Sequence, residues 1–371
     1  VEKEFPPFGM VKGGKKVRKI PEEMKAVVLH NWNDLRYEKV ETPRPDPHEI
    51  LCRVRGCGIC ATDVHMANGD LEGIYPPHLP FTMGHEWWGE VAAFGRHVQG
   101  FSIGQRVIGE PQKGCGTCPR CKEGRYHLCV FAPRADKGYK LYGHNVNGAY
   151  ADFITVDATT VYPMPDGLGM EEGVSACNVG IGIEAVRRAR IKPGDDVLVL
   201  GVGLLGLIIV QLARISGAGR TMAVGKGHRL KMAGELGTDV KVDRAHSNVV
   251  EQVKALTNGE GADVVIECAG ANEAVQNALN CVRRGGRAVL VGISGEGDVS
   301  LDTDRIVLDE IEVIGSRGAP NALAQSIQLM ASGRINVKPL ITHQLPLSEV
   351  QRGMEIFKKK LENVIRVALI P

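Results

Sequence analysis

The chain has 371 residues, 43% of them apolar and 24% charged, the make-up of a soluble globular protein with room for two domains. A formal net charge of +2 excludes a whole-molecule field that would draw in nucleic acid or an anionic membrane, so a small-molecule substrate is the default. The longest apolar run, 197–210, is broken by three glycines and too short to span a bilayer.

Ten cysteines at this length are far from the density of a disulfide scaffold, and no secretory signal is recognisable, which together point to a cytoplasmic protein with reduced thiols. Residues 1–23 read as an N-terminal extension, a polar tail or surface strap holding Pro6, Pro7, Gly13, Gly14 and the basic cluster Lys15, Lys16, Arg18 and Lys19. From Met24 come short β-rich runs, KAVVLH, HEILCRVRGCGIC, EWWGEVAAFG and QRVIGE, separated by punctuation such as PRPDPHE. They predict a compact, mostly antiparallel β domain, continued by GAYADFITVDATTVYPMP, with two cysteine-bearing stretches on its loops.

The first of these stretches reads CGICATDVH, a spacer, then GHE, and gathers Cys60, Thr62, Asp63, His65, His85 and Glu86. A thiolate and an imidazole are the ligand types zinc prefers, so Cys60 and His85 are candidate metal ligands, and Asp63 and Glu86 can orient them. Spacing alone leaves open a redox pair of Cys57 and Cys60 and an ordinary buried histidine at 85. The second stretch places Cys115, Cys118, Cys121 and Cys129 in the pattern CxxCxxCx7C. Four thiolates this close can close a tetrahedral shell with no open position, which reads as structural zinc. A four-cysteine iron–sulfur site or two disulfides are the competing readings.

At Pro193 the texture changes. KPGDDVLVL is a turn and a buried strand, GVGLLG holds Gly201, Gly203 and Gly206 as GxGxxG, and IIVQLARIS is apolar enough for a helix pressed on a sheet. In that setting the glycines give a tight turn, backbone approach to a pyrophosphate and close helix packing, with the helix N-terminus facing the phosphates. Further strands are expected at TMAV, DVVIECAG, GRAVLVG and IEVIGS, with helices between them. The fold class is therefore α/β, a doubly wound parallel sheet joined to a mostly-β domain.

The order of GICATDVH, GHEWWGEV, CxxCxxCx7C, GAYADF, LGVGLLG, DVVIECAG and RGGRAVLVG resembles the zinc-containing, medium-chain alcohol and polyol dehydrogenases over nearly the whole chain from Met24. The resemblance implies a GroES-like catalytic domain with a structural zinc lobe over 24–178, a Rossmann dinucleotide-binding domain over 179–334 and a return to the catalytic domain over 335–371. It also implies two Zn2+ per chain, one catalytic and one structural. The implied activity is hydride transfer between NAD(P) and a primary alcohol, secondary alcohol or polyol, with a 3-hydroxy amino acid as the alternative substrate. Family members carry a third catalytic ligand shortly before the helix that precedes the fingerprint strand, and the matching residue is Cys177, with Glu86 in reserve. Thr62 and His65 would pass the substrate proton outward through the cofactor ribose, and Arg366 in VIRVAL matches an arginine on the pyrophosphate. A homodimer or homotetramer, paired near 311–315, is the expected assembly. Departures are Gln105 in place of an acidic residue, the N-terminal extension, and the bulky Trp87 and Trp88 after GHE, which are expected to bear on the substrate pocket.

Two other classes compete. A four-cysteine knuckle can serve nucleic-acid binding, but such modules want a basic, aromatic-lined surface and only 5% of these residues are aromatic. A zinc-free or inactive relative is opposed by Cys60, His85 and Cys177 occurring together. As to cofactor, an NAD-preferring sheet of this type ends its second strand in Asp or Glu; here TMAV runs into Gly225, Lys226, Gly227, His228 and Arg229. The missing carboxylate, with Lys226 and Arg229 as phosphate partners, favours NADP over NAD.

Overall fold

In the computed structural model of the chain, residues 20–245, 248–293 and 297–371 are described. The basic cluster at Lys15, Lys16, Arg18 and Lys19 lies outside them. The chain forms two compact units: the described residues through Val174 with His343–Leu361 and Val367–Pro371, and Ser175–Thr342 with Glu362–Arg366.

The first unit opens on an antiparallel hairpin of β1 (Glu23–Asn31) and β2 (Asp34–Glu41). Its link is Trp32 and Asn33, and Asn33 takes φ 62°, a left-handed turn conformation asparagine tolerates better than most residues. Then come β3 (Glu49–Gly58), α1 (Ala61–Asn68), β4 (Trp87–Phe94), β5 (Arg106–Gly109), β6 (Gln112–Lys113), α2 (Pro119–Lys122), β7 (Lys140–Leu141), β8 (Phe153–Asp157), β9 (Val161–Pro163) and the long α3 (Met170–Ala189). β3 pairs antiparallel with both β4 and β8 and is buried along most of its length, which is why Ile50, Leu51 and Cys52 run together and Arg53 and Arg55 take its half-buried positions. Trp87, expected to bear on the substrate pocket, is instead sealed inside this unit at 1% exposure. Its ring occupies the space beside Gly109, where a Cβ would lie 2.2 Å from the indole. Trp88 lies against Gly56 and Gly173, with the Arg106 guanidinium 5.3 Å from its ring centroid.

The second unit runs β10 (Asp196–Leu200), α4 (Leu204–Ile215), β11 (Arg220–Gly225), α5 (Gly227–Glu235), β12 (Val240–Asp243), α6 (Val249–Leu256), β13 (Ala262–Glu267), α7 (Asn272–Cys281), β14 (Val282–Leu290), α8 (Thr303–Leu308), β15 (Glu312–Gly315) and α9 (Leu323–Ala331). All neighbouring strands are parallel, in the order β12-β11-β10-β13-β14-β15. The chain therefore reverses its direction of winding between β10 and β13, and the crevice outside the carboxyl ends of those two strands is where such sheets bind ligands. Leu198, Leu200, Met222, Val224, Val265 and Ala288 pack in one of its cores.

The last elements are β16 (Ile341–Pro346), α10 (Val350–Lys359) and β17 (Arg366–Ile370). β17 joins the sheet of the first unit through Ala368 opposite Gly58, giving the order β16-β17-β3-β4-β5-β9 with β8 also on β3. Among the described residues no helix is long and apolar enough to cross a membrane.

Candidate active site

The β3–β4 register brings the first candidate group together. Cys57 stands opposite Trp87, so the residues that follow β3 and those that precede β4 emerge at the same end of the sheet. Gly58 N donates to Glu86 O at 2.8 Å and Ile59 N to Val367 O at 2.9 Å, which fixes the exit from β3. Cys60 then caps α1: its backbone N–H donates to Asp63 Oδ2 at 2.9 Å, and the Cys60 side chain faces the third amide of the helix in return. Cys60 Sγ, a His85 ring nitrogen and a Glu86 carboxylate oxygen all lie within 4.8 Å of one another.

Asp63 sits behind this group, fully buried. Its Oδ1 is 3.4 Å from His85 Nδ1, and its Oδ2 accepts the Tyr150 hydroxyl at 2.9 Å. With Nδ1 turned to Asp63, His85 Nε2 faces Glu86 Oε1 at 3.7 Å. Burial disfavours charge on His85, but Asp63 and then Cys60 override it and push the ring up to about 10. Burial likewise opposes ionisation of Asp63, yet the His85 ring and the Cys60 amide outweigh it and hold the carboxyl below its usual range. Asp63 and Glu86, buried to 0% and 1% exposure beside a thiol and an imidazole, make a recess whose polar groups a bound cation would satisfy. The donor types, one sulfur, one imidazole and one carboxylate, fit zinc.

Thr62 Oγ1 is 3.7 Å from Cys60 Sγ, at the lip of the recess. His65, one turn along α1, is partly exposed and has Nδ1 2.9 Å from Asp70 Oδ2. Cys177 lies inside α3 rather than ahead of a helix, and is buried.

The second candidate group is a lobe in which all four sulfur atoms of Cys115, Cys118, Cys121 and Cys129 lie within 4.8 Å of one another. The Cys115–Cys121 and Cys118–Cys129 sulfur separations are 3.8 and 3.9 Å. A tetrahedron with metal–sulfur bonds of about 2.3 Å has edges of about 3.8 Å, so the cage fits zinc. Cys115 Sγ accepts from Thr117 Oγ1 at 3.4 Å and from Cys118 N at 3.3 Å, and the Thr117 hydroxyl leads the effects that lower its thiol to about 6. A Cβ on Gly114 would lie 2.5 Å from Cys121 Sγ, so only glycine lets the chain pass this close to the cage.

On the second unit, Gly201 takes φ 97°, and a Cβ on Gly206 would lie 1.9 Å from Gly201 O. Gly203 caps α4, and a Cβ there would meet nothing within 4 Å, the clearance that backbone approach to a pyrophosphate requires. Gly225 ends β11, as TMAV implied, but it has a packing reason of its own: a Cβ would lie 2.0 Å from Val202 Cγ2. Lys226 is exposed at the start of α5, whereas Arg229 Nε donates to Val364 O at 3.1 Å. Arg366 is 2% exposed at the start of β17.

Residues 46–166 match the alcohol dehydrogenase GroES-like domain and residues 205–332 the zinc-binding dehydrogenase domain. A sorbitol dehydrogenase of Bacillus subtilis (strain 168) is 34% identical over 353 residues, 95% of this chain and 98% of its own length. The chain belongs to the zinc-type medium-chain dehydrogenase/reductase family. This medium-chain dehydrogenase is also 33% identical to an L-threonine 3-dehydrogenase of Bacillus licheniformis, over 90% of this chain and 95% of the relative. Its fold matches that of a Sinorhizobium meliloti 1021 protein solved with NADP at a TM-score of 0.87 and 30% identity, covering 95% of this chain and 100% of that one.

Two residues of the dehydrogenase site escape sequence reasoning. Tyr150 reaches Asp63 across 87 positions. His144 lays its ring 4.5 Å from that of His85, centroid to centroid. A tyrosine in the GAYADF motif was the only local signal for the first, and His144 had none.

Proposed function

We propose that this medium-chain dehydrogenase interconverts an alcohol or polyol carbon and its carbonyl, with NAD(P), at a zinc held by Cys60, His85 and Cys177. The convergence of Cys60, His85 and Glu86 donors within 4.8 Å, backed by buried Asp63, carries the reading. Zinc bound there supplies Lewis-acid polarisation of the substrate oxygen, and the nicotinamide supplies the hydride acceptor. Cys60 and His85 would hold the metal, with Cys177 the third ligand that the family resemblance implies and Glu86, grouped with the first two, as the reserve donor. Oxidation breaks the carbinol C–H bond as hydride and releases the hydroxyl proton. Thr62 would take up that proton, and His65, steadied by Asp70, would pass it toward solvent. Cys115, Cys118, Cys121 and Cys129 hold a second, structural zinc.

Gly201, Gly203, Gly206, Gly225 and Arg366 form the dinucleotide side. No carboxylate ends β11 to repel a 2′-phosphate, and exposed Lys226 offers a cation for one, while Arg229 donates to Val364 O; this supports NADP over NAD. A homodimer or homotetramer in the cytoplasm, where the thiols stay reduced, completes the reading.

The test is a substrate screen of zinc-loaded protein with sorbitol and other polyols, secondary alcohols and L-threonine, each with NAD and with NADP, following nicotinamide reduction. The highest kcat/KM is expected for a polyol or secondary alcohol with NADP. Preference for L-threonine moves the chain to the 3-hydroxy amino acid reading, an outright preference for NAD overturns the cofactor assignment, and no turnover of any of them overturns the proposal.

A further inference from the structure

Tyr150 is fully buried in the segment that leads into β8, and two separate parts of it touch the candidate zinc site. Its hydroxyl donates to Asp63 Oδ2 at 2.9 Å. The same oxygen accepts Cys60 N at 2.9 Å, and the other oxygen of that carboxylate lies 3.4 Å from His85 Nδ1. One carboxylate thus touches the backbone of one candidate ligand and the ring of the other. The Tyr150 ring covers Gly84, where a Cβ would lie 2.4 Å from Cδ1, and Tyr150 N donates to Met83 O at 2.9 Å. Gly84, at φ 91°, is the residue immediately before His85.

An ionised carboxylate can only accept, so the phenol is the donor, and at 2.9 Å Asp63 is a closer acceptor than Gly58 O at 3.4 Å. Without that hydrogen bond, Asp63 keeps one amide and a long contact to imidazole, and its plane is free to turn. The His85 ring then loses the partner that fixes which nitrogen faces the recess. Outer partners of this kind govern how firmly a metal is held.

We propose that Tyr150 is a positioning residue for the zinc site: through Asp63 it sets the direction of the His85 ring and so slows release of the metal. The proposal rests on reading Cys60 and His85 as zinc ligands. Tyr150→Phe is the informative change, because phenylalanine keeps the ring over Gly84 and removes only the hydroxyl.

The experiment follows zinc release from the full-length, zinc-loaded protein to a chromogenic chelator. The phase belonging to Cys60 and His85 is recognised by its absence in Cys60→Ser, and the four-cysteine phase serves as internal control. In Tyr150→Phe the Cys60-dependent phase should run about 10–100-fold faster while the control phase is unchanged. In an Asp63→Asn background the same change should have little further effect, because its route to His85 is already cut. A Cys60-dependent phase within about 2-fold of wild type, or an equally large effect without Asp63, overturns the role of Tyr150 alone. Absence of any Cys60-dependent phase in the wild type overturns the zinc reading itself, and the role of Tyr150 with it.

Discussion

At His85 the chemistry depends on which neighbour each ring nitrogen faces. Nδ1 toward Asp63 leaves Nε2 for the recess, and this has a consequence for mutagenesis. His85→Ala removes a candidate ligand and also strips buried Asp63 of its imidazole, so lost activity should come with about 1–3 kcal/mol of lost stability, read by urea denaturation. Cys60→Ser leaves the Cys60 backbone bond to Asp63 in place and should unfold at nearly the wild-type midpoint. Equal destabilisation by the two changes would mean that Asp63 does not depend on His85. Cys60 and His85 were legible in the sequence because ligand types and spacing are local information. Tyr150 and His144 were not, because their partners arrive from distant segments through strand pairing. Gly225 shows the opposite limit: the absent acid could be read, but the contact with Val202 that excludes any side chain there could not. Gly225→Asp is accordingly a poor probe of cofactor choice.

Among the elements, the turn between β10 and α4 carries the strictest geometry. Gly206→Ala puts a methyl group against Gly201 O and must push α4 away from the strand end. Affinity for reduced cofactor should fall by roughly 10-fold or more in a fluorescence titration, and an unchanged affinity would separate this turn from the cofactor. At the end of β5, burial pushes the Glu110 carboxyl up to about 7, although the Tyr126 and Tyr162 hydroxyls both donate to it. The folded chain therefore keeps this proton to higher pH than the unfolded chain, whose ordinary value is 4.5. Stability is favoured below that value and lost as pH climbs through about 7. Glu110→Gln should remove on the order of 2–3 kcal/mol of that decline between mildly acidic and mildly alkaline solution, measured by denaturant melts at both ends. Parallel pH profiles for the two proteins would contradict it. The strands legible in advance, β1, β3, β4, β5, β10, β11, β13, β14 and β15, each carry a run of apolar residues. β2 and β12 were not, because DLRYEKVE and VKVD are polar on their exposed positions and carry too few buried residues to stand out. Cys177 was expected ahead of a helix because the family resemblance put it there, whereas Glu171 and Glu172 in the first turn of α3 mark a helix that begins earlier.

For the whole molecule, two candidate metal sites differ in what they should do for the fold. The four-cysteine lobe has little secondary structure beyond α2 and short turns, and its core is Cys118, Cys129 and Tyr139 with the remaining cysteines packed beside them. Its order therefore depends on the cage, so Cys118→Ser should lower the thermal midpoint by several degrees or leave the protein insoluble, checked by calorimetry and zinc content. A fully stable Cys118→Ser with unchanged zinc would contradict a structural role. The Cys60 site lies instead at the end of a sheet held by β3, β4 and β17, which needs no metal to pair. The family as a whole was legible because its motifs are short and ordered along the chain. The substrate was not, since no motif encodes the walls of a pocket.

The most direct measurement is zinc per chain, by atomic emission, in the wild type and in Cys60→Ser, alongside turnover of the best alcohol found in the screen. About two zinc ions are expected in the wild type and about one in Cys60→Ser, which should stay folded and lose turnover by roughly 1,000-fold or more. A wild type holding a single zinc, retained in Cys60→Ser and lost in Cys118→Ser, or a Cys60→Ser that still turns over, would contradict a catalytic metal at Cys60 and His85.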